Sequence, residues 1–194
     1  MTNAWMETYL VQSAAAFSAL CDAPHRVVMA EMAESITRAL RDGGKLLLCG
    51  NGGSAGDAQH IAAEFVGRLM YDRAPLAAIA LTTDTSALTA IANDYGFDQV
   101  FDRQVRALGR PGDVLIGLST SGASPNVVAA LQAGRAQGMV CLGWTGNREG
   151  PMPGLCDAVL AVPSNHTPII QQLHITAGHV VCGLVERALF PPGG

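Results

Sequence analysis

Lys45-Leu46-Leu47-Leu48-Cys49-Gly50-Asn51-Gly52-Gly53-Ser54 is the stretch whose reading decides the fold. A short continuous apolar run ends in a glycine-rich loop, and a helical pattern follows to about Met70, which reads as strand, loop and helix. A strand without polar alternation needs cover on both faces, and a parallel sheet between helical layers supplies it. Similar runs recur at Ala77 to Leu81, Val114 to Leu118, Met139 to Gly143 and Ala158 to Val162, spaced by stretches of crossover length. Upstream, residues 4 to 20 place Met6, Leu10, Phe17 and Leu20 on one helical stripe, and a second helix runs from about Val27 to Leu40 until Asp42-Gly43-Gly44 stops it. Ser124-Pro125 and Thr167-Pro168 each read as a hydroxyl N-cap followed by Pro at N1. The sequence therefore predicts an α/β fold: a three-layer αβα sandwich with a five-stranded, mostly parallel sheet. One domain is expected over 1–194, with a helical N-terminal extension at 1–42, an α/β core at 43–190 and a Pro-Pro-Gly-Gly tail.

A chain of 194 residues suits one domain with a full core. Apolar residues make up 49% and charged ones 14%, which excludes a disordered chain and predicts a surface partly covered by oligomerisation. Twelve Lys and Arg against sixteen Asp and Glu leave a net charge of -4, and no basic cluster could neutralise several phosphates, so nucleic acid is not an expected partner. Five cysteines, an odd number without C-x-x-C spacing, fit a reducing cytoplasm. Neither a signal peptide nor a membrane span is legible.

Ligands of open parallel sheets sit beyond the carboxyl ends of the strands, so the loops after the first and third strands are the candidates. Gly50 to Ser54 presents backbone N–H groups to an anion at a helix N-terminus, or else makes only a tight turn. Its G-x-G-x-x-A pattern is a poor dinucleotide fingerprint, because Asp84 lies 29 residues past Ala55 and Asp57 occupies the first turn that would receive a pyrophosphate. In the second loop Ser119, Thr120, Ser121 and Ser124 offer four hydroxyls in six residues, more than capping needs and suited to a phosphate monoester. His60 and Glu64 share a helix face at i,i+4 and could hold a proton or metal, or form only an exposed pair. The last helix, Pro168 to Leu189, directs Ile170, Leu173, Ala177, Val180, Val181 and Leu184 to the core, while Gln171, His174 and His179 interrupt that environment. Gln171 and His179 stand about 12 Å apart along such a helix, so one ion reaches both only from between them or with help from another chain.

Together the motifs Cys49-Gly50-Asn51-Gly52-Gly53-Ser54-Ala55-Gly56-Asp57-Ala58-Gln59-His60, Ala80 to Ser86, Asn93-Asp94-Tyr95-Gly96 and Ser119-Thr120-Ser121-Gly122 resemble the sugar isomerase (SIS) domain family, of flavodoxin-like fold. Within it, residues 40 to 187 are most similar to the phosphoheptose isomerases. The resemblance implies a phosphate loop at Ser119, Thr120, Ser121 and Ser124. It also implies sugar contacts from Asn51, Gly52, Gly53 and Ser54, from Asn93 and Asp94, and from Glu64 and Gln171. It implies zinc held by His60, Glu64, Gln171 and His179, and a homotetramer with active sites between subunits. The implied reaction turns sedoheptulose 7-phosphate into D-glycero-D-manno-heptose 7-phosphate, a first step toward heptose in lipopolysaccharide or capsule. Aldose–ketose isomerisation needs a base, an acid and stabilisation of a developing oxyanion. Glu64 is the candidate base and His179 the candidate acid, roles that compete with metal ligation. Ala123, Ile169 and Gln172 depart from the family pattern, as does the loop Asn147-Arg148-Glu149, which lacks the usual glycine pair. Two rivals follow: a non-catalytic relative that binds the replication initiator, and a dinucleotide-dependent oxidoreductase, against which the short glycine loop argues.

Overall fold

The computed structural model describes residues 2–191; Met1 and the last three residues of the expected tail lie outside them. Five strands form, β1 (Leu46–Gly50), β2 (Ala78–Ala80), β3 (Val114–Leu118), β4 (Val140–Gly146) and β5 (Ala158–Val162). Their order is β2-β1-β3-β4-β5 and every pairing is parallel, a stricter outcome than the mostly parallel sheet expected. β4 outruns its predicted end because Thr145 and Gly146 continue the ladder against Ala161 and Val162. Every residue of β1 and β3 is buried. Leu46 and Leu48 enter one half of the core, with Met32, Ile36, Trp144 and Leu173, while Leu47 and Cys49 enter the other, with Val105, Val127 and Leu131. That period-two division is what a strand covered on both faces requires.

One face of the sheet carries α1 (Thr2–Leu20), α2 (Ala23–Arg41), α3 (Gly53–Val66) and α7 (Thr167–Leu189); the other carries α4 (Thr85–Tyr95), α5 (Asp102–Leu108) and α6 (Pro125–Ala136). The result is the three-layer αβα sandwich. At the amino ends of the strands, buried Asp113 accepts from the backbone N–H groups of Lys45 and Arg110 and from Lys45 Nζ at 2.6 Å. The strand order reverses between β1 and β3, so their carboxyl ends open a crevice.

Several local expectations are corrected. The inward stripe of α1 is Tyr9, Ser13, Ala16, Phe17 and Leu20, whereas Met6 and Leu10 face outward beside Trp5 and Val11. α3 stops at Val66, short of Met70, because the chain turns at Gly67. Ser124 occupies the N-cap of α6 without a capping side-chain bond, since its hydroxyl pairs with Ser119; Thr167 is the first helical residue of α7, whose N-cap is His166. All five cysteines are free thiols, and burial pushes Cys141 up to about 11 and Cys156 and Cys182 to about 12, so these three behave as small hydrophobes.

Candidate functional site

The crevice between β1 and β3 is a cleft of 270 Å³. Gly52 takes φ 56°, a left-handed conformation that turns the chain sharply into α3. A Cβ on Gly53 would collide with the side chain of Gln171, so glycine there lets α7 lay Gln171 across the start of α3. From β3 comes the hydroxyl loop. Ser119 Oγ lies 2.8 Å from Ser124 Oγ and 3.3 Å from Ser121 Oγ, and it accepts the backbone N–H of Ser124. Asn51, Gly52, Gly53, Ser54, Ser119, Thr120, Ser124 and Gln171 line the cleft together with Thr167; Ser121 joins through its hydroxyl contact to Ser119. The beginnings of α3, α6 and α7 thus meet at one small volume with no Lys or Arg in its lining. Three positive helix ends and a set of hydroxyl donors have the chemistry to receive a phosphate-sized anion.

Asn51 and Asn126 exchange two amide hydrogen bonds, of 2.8 and 2.9 Å, and tie the glycine loop to the first turn of α6. Asn126 is fully buried and was missed from sequence, where nothing pairs residues 75 positions apart. This exchange engages both ends of the Asn51 amide, so its side chain fixes the loop while the adjacent backbone faces the cleft.

A second cluster lies along α3 and α7. His60 Nε2 is 3.1 Å from Glu64 Oε1 and 3.1 Å from His179 Nε2, and the three ligand atoms lie within 4.8 Å of one another. Ligands about 2.0–2.1 Å from a tetrahedral zinc stand roughly 3.3 Å apart, so this donor set suits the metal by chemistry, and the two separations from His60 match that spacing. Gln171, the fourth expected ligand, sits over Gly53 in the cleft, two turns up α7 from His179. Asp57, one turn before His60, has a buried Oδ2 without a hydrogen-bond partner. Burial pushes its carboxyl up to about 6, against the opposing pull of His60.

Other expected residues separate. Asn93 and Asp94 are exposed at the end of α4, bonded to each other, and do not line the cleft. Asp84 caps α4 by accepting from Ala87 N–H, which leaves no case for a ribose-binding acid. His174 is a core residue whose Nε2 lies 3.2 Å from the carbonyl of Thr145. Val180 and Leu184, expected in the core, are 43% and 41% exposed and line an apolar groove with Leu69, Met70 and His179. Two departures from the family pattern have structural roles: Gln172 donates to the Tyr9 hydroxyl and fastens α7 to α1, and Ile169 is buried in the core.

The SIS domain family matches residues 8–146. The phosphoheptose isomerase of Burkholderia pseudomallei is 54% identical over 98% of this chain and 94% of its own length. That of Desulfovibrio desulfuricans is 59% identical over 87% and 80%. Among solved structures, the phosphoheptose isomerase of Neisseria gonorrhoeae superposes with a TM-score of 0.89 at 44% identity, covering 96% of this chain and 99% of that one. The one from Francisella tularensis gives 0.91 at 33%, with the same coverage.

Proposed function

The chain belongs to the SIS domain family and, within it, to the phosphoheptose isomerases, and from that premise we propose that it converts sedoheptulose 7-phosphate to D-glycero-D-manno-heptose 7-phosphate. The observation that carries this reading is the convergence of His60, Glu64 and His179, distant in sequence, on α3 and α7, the two helices whose beginnings line the cleft.

Ser119, Thr120, Ser121 and Ser124 hold the phosphate at the helix ends, and the segment Asn51 to Ser54 together with Gln171 orients the sugar. Glu64 removes a proton from C1, next to the C2 ketone, while His179 supplies one to O2. The enediol then loses the O1 proton and takes a carbon-bound proton at C2, giving the aldose. Asn93 and Asp94 are assigned to the active site of a second copy, in a homotetramer. His60, Glu64 and His179 are the residues that would hold zinc; Gln171, the fourth ligand the resemblance implies, would have to leave its place over Gly53 to join them. When bound, such an ion supplies positive charge that polarises a carbonyl oxygen. Such an ion would be weakly held or structural, with Glu64 or His179 free of it when a proton moves. Five free thiols fit a cytoplasmic enzyme, feeding heptose synthesis.

The test is to incubate the protein with sedoheptulose 7-phosphate and follow the aldoheptose phosphate by NMR, with Glu64→Gln alongside. Conversion by the wild type and its loss, by about 100-fold or more, in the variant are expected. No conversion by folded, zinc-replete wild type would overturn the proposal and favour the non-catalytic, initiator-binding role.

A further inference from the structure

The two elements that supply the candidate acid and base are joined by a buried ion pair. Arg73, in the loop after α3, and Glu186, in α7, are 2% and 1% exposed. The guanidinium uses its whole fork. Its Nε donates to Glu186 Oε1 at 3.1 Å, one terminal nitrogen donates to the carbonyls of Phe65, Gly67 and Ala74, and the other donates to the carbonyl of Glu64 at 2.7 Å. The last carbonyls of a helix lack partners within it, and a cation there also meets the negative end of the dipole. Arg73 thereby caps α3 at the residue that carries the candidate base. Glu186 accepts from the backbone N–H groups of Leu69 and Met70 as well, so its carboxylate grips the same loop at two further points. It stands seven residues beyond His179, two turns along one face of α7. A buried ion pair is a poor source of stability compared with apolar side chains of the same volume, but it accepts only one geometry.

We propose that Arg73 and Glu186 form a clamp that sets the gap between His60 and Glu64 on α3 and His179 on α7, and that both are positioning residues for the isomerisation. The clamp touches neither substrate nor metal. It acts through the backbone of Glu64 and the rotation of α7, and it rests on the reading of the site proposed above. Groups that hold ligating or catalytic side chains in place commonly change metal affinity or activity by about 10- to 100-fold when altered.

The test compares Arg73→Lys, which keeps the charge and loses the fork, Glu186→Gln, which keeps the shape and loses the charge, and Asp113→Asn. The last is a control that weakens a part-buried ion pair between β1 and β3, which contacts neither α3 nor α7. Turnover of sedoheptulose 7-phosphate gives kcat and KM, and chelator competition with cobalt(II) gives metal affinity without reference to activity. In both clamp variants kcat should fall by about 10- to 100-fold with KM changed less than about twofold, and cobalt affinity should fall by about 10-fold. Asp113→Asn, at an equal or larger loss of melting temperature, should keep both. The clamp is overturned by wild-type kcat and cobalt affinity in both variants, by a rise in KM alone, or by an equal loss of kcat in Asp113→Asn. If Arg73→Lys does not fold, the near-isosteric Glu186→Gln decides by itself. A wild type that binds cobalt but does not turn over substrate refutes the isomerase reading, and cobalt affinity then judges the clamp; a wild type that does neither overturns both.

Discussion

The imidazole of His174 packs against Trp144 and offers one nitrogen to the Thr145 carbonyl, and burial pushes its pKa down to about 4. In the unfolded chain the ring titrates near 6.5. Between these values the unfolded chain binds a proton that the native chain refuses, so stability falls as pH drops from 6.5 and the loss levels off near 4, at roughly 3 kcal/mol. Asp57 works with the opposite sign: its carboxyl, raised to about 6, takes up a proton in the native chain first, so acid in the window down to 3.8 favours the fold. The His174 contribution is isolated by comparison with His174→Gln, which keeps an amide donor for Thr145 and does not titrate. Denaturation from pH 7 to pH 4 should show a shallower acid loss in the variant than in the wild type; equal slopes would show that His174 is not the group responsible. At this scale the sequence is only partly legible. His60 and Glu64 are readable together because a helix brings i and i+4 onto one face. His174 and His179 interrupt the same apolar pattern, and only the tertiary environment makes one a core residue and the other a member of the cluster.

Between α3 and α7 the packing is set by a glycine. A Cβ on Gly178 would lie 2.8 Å from Ile61 Cδ1 and 3.3 Å from Trp144, so the two helices approach at a point where no side chain fits. Gly178→Ala should destabilise the fold by about 1–3 kcal/mol by overpacking. Ile61→Ala, which removes both Cδ1 and the Cγ1 that lies 2.9 Å from the same point, should cost about 2–5 kcal/mol by itself. The double variant should cost less than the sum by at least about 0.5 kcal/mol, because each change relieves the other. Urea denaturation of the four proteins measures this, and strict additivity would show that the contact does not limit the helix spacing. Element types were legible because short apolar runs and glycine stops are local signals. Element ends and faces were less so. α3 ends at Val66 under a cap supplied by Arg73, which is itself held from α7, and no helical periodicity reports that. The apolar positions of α1 fit two stripes, and the choice of Tyr9, Ala16 and Leu20 over Met6 and Leu10 is made by where α7 lies. The parallel sheet was readable, and with it the two loops, after the first and third strands, that meet at the cleft; the strand order that brings them together and the partner of Asn51 were not, since a reciprocal amide pair leaves no pattern in sequence.

Among the described residues, exposed apolar side chains include one group on α1 and another along a groove of α7. Trp5 is 70% and Leu10 is 59% exposed, next to Met6 and Val11 on α1, and Val180 and Leu184 border the groove that reaches His179. Scattered exposed apolar residues are ordinary, but neighbouring ones along a helix mark an interaction surface. The proposed tetramer would cover them, and it would bring Asn93 and Asp94 of one copy to the cleft of another, which a single chain does not do. Light scattering should then give a mass about four times the 20.1 kDa of the chain. Leu10→Glu places a charge on α1, far in sequence from every residue of the cleft, and burying an unpaired charge in an interface costs several kcal/mol. The variant should therefore sediment as a smaller species, keep the cooperative unfolding of its own core, and lose isomerase turnover in proportion to the loss of assembly. Restoring turnover at higher protein concentration, where mass action re-forms the contacts, would tie the two together. A wild-type monomer with full turnover would refute the shared active site and return Asn93 and Asp94 to the solvent face of α4.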